Sequence, residues 1–154
     1  MVDLVERIDT LVKQECGIYR TEDYLAPSFQ AKLAPPRLSS LFAAEPEISA
    51  ISSSTTTSGI NEVWREKICE WSYQVIDHFD FSREVVAISV HYLDRYLSTR
   101  TVNKRIFQLV AMTTLYLAIK LHDQGIVSMA SMIELSRGYF LVEQMEEMEL
   151  ELLS

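Results

Sequence analysis

The sequence predicts an all-α domain in which about four helices wrap a central one, and three observations carry that expectation. From Ile60 onward apolar residues recur at spacings of three and four, with no strand-like alternation and no internal repeat. The stretch from Lys104 to His122 is apolar almost all round, and a helix of that kind is buried on every side. Residues 26–59 carry Pro27, Pro35, Pro36, Pro46 and the polar tract SAISSSTTTSG. Such a segment cannot bury enough surface to offset its ordering entropy, so it reads as a flexible linker.

Each element follows from its own residues. Residues 1–25 open with Leu4, Ile8, Leu11 and Val12 at helical spacing between Asp3, Glu6, Arg7, Asp9 and Lys13, which predicts an amphipathic helix ending near Cys16-Gly17 with one apolar stripe to bury. After the linker, Trp64, Ile68, Trp71, Val75 and Phe79 mark one face of the first domain helix. Ser82, with Glu84 just inside, predicts the N-cap of a second helix reaching about Leu97. In the third helix Ile106, Leu109, Val110, Met112, Leu115, Tyr116, Leu117, Ile119 and Leu121 leave little polar surface. Gly125 breaks the run, and Ser128 caps a short fourth helix to about Leu135. The fifth, from about Val142, sets Met145, Met148 and Leu152 on one side amid glutamates. The domain therefore occupies residues 60–154.

Composition bounds the function. Apolar residues make up 48% of the 154 and mean hydropathy is near zero, enough for a core without membrane character. No apolar run reaches the roughly 18 residues of a membrane span, and the acidic first residues do not resemble a signal peptide. The expectation is an intracellular protein, in nucleus or cytoplasm. Cys16 and Cys69 fit no metal spacing and read as reduced thiols. A net charge of −8 disfavours DNA or RNA as a direct partner.

Enzymatic constellations are missing from the sequence: there is no Gly-rich phosphate loop, no G-x-S-x-G and no H-E-x-x-H. His91 and Asp94 share a helical face as metal ligands would, but no second pair of like spacing answers them, so no metal and no cofactor is expected. The methionines read as core filler. What remains is charge inside apolar faces: Arg65 beside Trp64, Asp94 between Val90 and Leu97, and Lys120 between Ile119 and Leu121. Charge at a buried position is tolerable only when paired, so Arg65 and Asp94 are expected to form a bidentate bridge between the first two domain helices, with Arg95 turned to solvent.

The runs WREKICEW, HYLDRYLS, FQLVAMTTLYLAIKL and MEEMELELL, in that order, resemble the N-terminal box of the cyclin family, the subunits that regulate cyclin-dependent kinases. The resemblance covers about Ile60 to Leu153, and LVKQECGIYRTEDYL resembles the segment that precedes the box. It implies a five-helix cyclin box that binds and activates such a kinase and performs no chemistry itself. Arg65 and Asp94 match the box's structural ion pair, and Lys120 and Glu149 match the family's main polar contacts to the kinase. A further surface, which in the family recruits Arg-x-Leu motifs, corresponds to Trp64, Ile68, Trp71, Gln74, Phe107 and Gln108. There Trp64 replaces the usual methionine, Lys67 an aliphatic residue, Phe107 a leucine and Gln74 the glutamate that would attract the motif's arginine. The chain ends at Ser154 on the fifth domain helix with no second box, which reads as a fragment or a truncated product. The competing reading is a scaffold or transcription-related adaptor of the same fold that binds a peptide or nucleic acid without activating a kinase.

Overall fold

A computed structural model of the chain describes residues 2–17, 23–26, 33, 36–37 and 60–154. The predicted linker, 26–59, lies mostly outside the described residues. Among the described residues the protein is all-α: six helices and no β-sheet. They are α1 (Val2–Cys16), α2 (Glu62–Phe79), α3 (Glu84–Leu97), α4 (Lys104–His122), α5 (Met129–Glu134) and α6 (Val142–Leu153).

Helix α4 is the axis, packed against α2, α3, α5 and α6 alike. Every residue from Ile106 to Ile119 is buried except Gln108. At about 1.5 Å per residue it spans roughly 28 Å, long enough to be the one element that α2, α3, α5 and α6 all share. Its buried hydroxyls are satisfied within the helices: Thr113 Oγ1 donates to the Leu109 carbonyl at 2.8 Å and Thr114 Oγ1 to that of Ala111 at 2.9 Å. Met132, Met145 and Met148 are fully buried around it, where an unbranched thioether fills irregular gaps.

Local signals set the helix ends. Asn61 and Asn103 accept hydrogen bonds from the backbone N–H groups of Trp64 (3.2 Å) and Ile106 (2.8 Å), each satisfying a donor with no intrahelical partner. Ser128 does the same for Ser131 at 3.0 Å. Asp80 closes α2 in the left-handed region (φ 57°), and the Phe81 N–H returns to the Ile76 carbonyl at 3.0 Å.

Three expectations are corrected. Ser82 is not a side-chain cap: α3 starts at Glu84, no side chain caps it, and the Ser82 N–H donates instead to Asp123 Oδ2 at 2.9 Å. That bond ties the α2–α3 turn to the end of α4. Leu121 is exposed in the last turn of α4, although its neighbours Lys120 and His122 still reach Glu149 of α6 and Tyr92 of α3. The stripe of α1 is not buried either: Ile8, Leu11 and Val12 remain about half exposed or more, and the side chain of Leu4 lies outside the described ones.

Candidate functional site

Arg65 on α2 and Asp94 on α3 meet in a two-pronged bridge: Nη2 lies 2.7 Å from Oδ2, and Nε donates to Oδ1 at 3.1 Å. The guanidinium fork matches the carboxylate, which makes such pairs stronger than a lysine equivalent. The pair sits at the domain's edge rather than in its interior, with side-chain exposures of 36% and 17%. Arg95 is exposed. The third member is buried Tyr24: its hydroxyl donates to Asp94 Oδ1 at 2.6 Å and accepts from Arg65 Nε at 3.1 Å. Burial, and then the hydrogen bond to Asp94, push the Tyr24 phenol well above its ordinary value and keep it a donor.

Lys120 and Glu149 stand near the outer ends of α4 and α6, with Lys120 Nζ 3.0 Å from Glu149 Oε1. Glu149 is the more enclosed partner at 15% exposure against 51% for Lys120. The hydrogen bond to Glu149 raises the Lys120 ammonium's pKa, which holds the charge in place. Exposed apolar residues accompany the pair in sequence: Leu121 follows Lys120, and Leu150 and Leu153 follow Glu149. Chemically this arrangement offers one cation, one anion and apolar surface to a partner.

A groove of about 560 Å³ opens elsewhere, lined by Trp64, Ile68 and Trp71 of α2, Gln108 and Met112 of α4, and Leu135 to Phe140 in part. It gathers four of the six residues assigned to a docking surface. Phe107 is excluded because it is fully buried: one helical step from Gln108 turns it into the core. Gln74 is exposed but does not line the groove, lying a turn beyond Trp71.

With this geometry in view, comparison with known proteins is decisive. The family model for the cyclin N-terminal domain matches residues 39–154, well over half of the chain. The chain belongs to the cyclin family. Similar curated cyclins include the G2/mitotic-specific cyclin-2 of Antirrhinum majus, 30% identical over 94 residues, 61% of this chain and 21% of that protein. Cyclin-B2-1 of Arabidopsis thaliana is 30% identical over 95 residues, 62% of this chain and 22% of its own length. The G2/mitotic-specific cyclin-B2 of Anguilla japonica is 30% identical over 91 residues, 59% and 23%. The chain spans about a fifth of the length of the cyclins it matches.

Two features of this cyclin escape a reading of its sequence. Tyr24 is 70 residues from Asp94, so no local spacing signals their contact. Glu151, only 8% exposed, gathers the Tyr96 hydroxyl (3.1 Å), the Arg37 backbone N–H (3.0 Å) and Arg100 Nε (3.5 Å) on one carboxylate oxygen. It looks like one more acid in a glutamate-rich helix, and only the packing distinguishes it. Among the described residues no group of three His, Cys, Asp or Glu could hold a metal ion, and no helix is long and apolar enough to cross a membrane.

Proposed function

We propose that this cyclin box is a non-catalytic regulatory module that binds a cyclin-dependent protein kinase and favours its active conformation, in control of the cell cycle. The observation that carries the reading is the Lys120–Glu149 pair on neighbouring helix ends, flanked by exposed Leu121, Leu150 and Leu153. An ammonium and a carboxylate fixed 3.0 Å apart can take a carbonyl and an amide of a partner loop, while the leucines receive an apolar helix face. Held there, the kinase's regulatory helix keeps its glutamate on the phosphate-binding lysine, the arrangement that active kinases require. The cyclin-family membership supports the partner class, and the acidic net charge of −8 speaks against the nucleic-acid-binding alternative.

Calorimetry or pull-down against a panel of cyclin-dependent kinases tests this directly, with the wild type and a Lys120→Ala/Glu149→Ala variant. The wild type binds at least one kinase, and the variant binds it about 30-fold more weakly, the loss expected for removing central polar anchors. Failure of a folded wild-type sample to bind any kinase overturns the function. Equal binding by the variant overturns the site.

A further inference from the structure

We propose that Glu151 is the positioning residue of the candidate kinase contact: it fixes the rotation of α6 and so turns Glu149 toward Lys120. The inference rests on the reading of Lys120 and Glu149 as that contact. Successive residues step about 100° around a helix, so Glu149 and Glu151 point to nearly opposite sides of α6. Whatever holds Glu151 inward therefore sets where Glu149 stands outside. Apolar packing holds this end of α6 weakly. Its last fully buried residue is Met148; beyond it Leu152 is only partly buried, and Leu150 and Leu153 are 71% and 62% exposed.

Glu151 supplies the missing hold. Its side chain is 8% exposed and draws on three separate segments: the Tyr96 hydroxyl of α3 at 3.1 Å, Arg100 of the α3–α4 connection at 3.5 Å, and the Arg37 backbone N–H at 3.0 Å. Burial, and then the Glu151 charge, raise the Tyr96 phenol above its ordinary value, so the hydroxyl stays a donor. All three groups meet Oε1. Among the described residues Oε2 is buried without a hydrogen-bond partner, and Arg100 Nε, though near, makes no hydrogen bond. Such a carboxylate is a poor source of stability, since an apolar side chain would be buried there without the desolvation cost. What it contributes is direction, because groups in three places fix one rotamer and one helix rotation. The Arg37 bond carries that hold into the chain before the box. The same stretch accepts, through the Leu33 carbonyl, a hydrogen bond from Thr101 at 3.2 Å, next to Arg100 on the α3–α4 connection. Docking of Leu33 and Arg37 and the placement of Glu149 are thus one arrangement.

A single N–H separates the outcomes. Arg37→Pro deletes it and Arg37→Ala keeps it, while the Arg37 residue itself is exposed. Titrated by calorimetry with the kinase that the panel identifies, Arg37→Pro binds about fivefold more weakly than Arg37→Ala. In a Glu149→Ala background the two bind alike, which a merely structural role of residue 37 would not produce. Tyr96→Phe, which removes a donor from another segment, repeats the loss and its dependence on Glu149, and melting curves check that the variants are folded. A second measurement needs no kinase: in the free chain, the amides of Glu149 to Leu152 exchange hydrogen about fivefold faster in Arg37→Pro than in Arg37→Ala. A wild type that binds no kinase overturns the functional reading alone, and the exchange rates then decide the positioning. Equal exchange or equal binding by the two variants overturns the proposal, as does a loss of binding that persists in full when Glu149 is already alanine.

Discussion

Asp94 accepts three hydrogen bonds from two side chains, so its loss strands both the Arg65 guanidinium and the Tyr24 hydroxyl. Removing one partner of a fully buried pair costs several kcal/mol, but Arg65 is 36% exposed and water takes up part of the loss. Asp94→Ala is expected to destabilise the domain by about 2 kcal/mol, and Tyr24→Phe, which deletes one donor, by about 1 kcal/mol. Urea denaturation of the two variants and of their combination checks this. Midpoints indistinguishable from the wild type contradict it, and the combination should cost less than the sum because both variants break the same bond. The phenol also sets an alkaline limit. Its folded pKa is raised, so its contribution is complete below the unfolded value of about 10 and is lost as pH climbs through the folded one.

Between elements, Asp123 joins two turns. It accepts from the Ser82 N–H at 2.9 Å and the Gly125 N–H at 2.8 Å, so the α2–α3 turn and the chain leaving α4 share one carboxylate. Those backbone bonds, Ser82's first, hold the Asp123 pKa below the usual carboxylate value. A depressed pKa contributes stability above the unfolded value of about 3.9 and loses it as pH falls through the folded one. Asp123→Asn is therefore expected to flatten the acid limb of the stability curve below about pH 4, measured as Tm against pH. An unchanged acid limb contradicts the assignment. Most elements were legible beforehand because periodicity and caps are local: Ser128 precedes its helix by one residue, and the all-round apolar character of α4 already marks it as the axis. The start of α3 was not, since Ser82 has a capping residue's chemistry while a partner 41 residues away claims its backbone. At the sites, Arg65 and Asp94 were visible as charges in apolar faces. Phe107 was misplaced because one residue's rotation on a helix separates groove from core.

For the whole molecule, stability is graded from the axis outward. Helix α4 shares contacts with four other helices, whereas the described apolar side chains of α1 stay about half exposed or more. Hydrogen exchange should therefore find the slowest amides between Leu109 and Ile119, exchanging only through global unfolding, and the fastest helical amides in α1. Comparable protection in α1 and α4 contradicts this grading. The Tyr24 contact adds a dimension of time. Helices α2 to α6 follow one another closely and can assemble through contacts near in sequence, but joining Tyr24 to Asp94 closes a loop of 70 residues, and joining Arg37 to Glu151 one of 114. Loop closure of that length is costly until both ends are already formed. Tyr24 and Arg37 are therefore expected to dock last, on a preassembled bundle, and Tyr24→Phe should quicken unfolding while leaving the folding rate nearly unchanged.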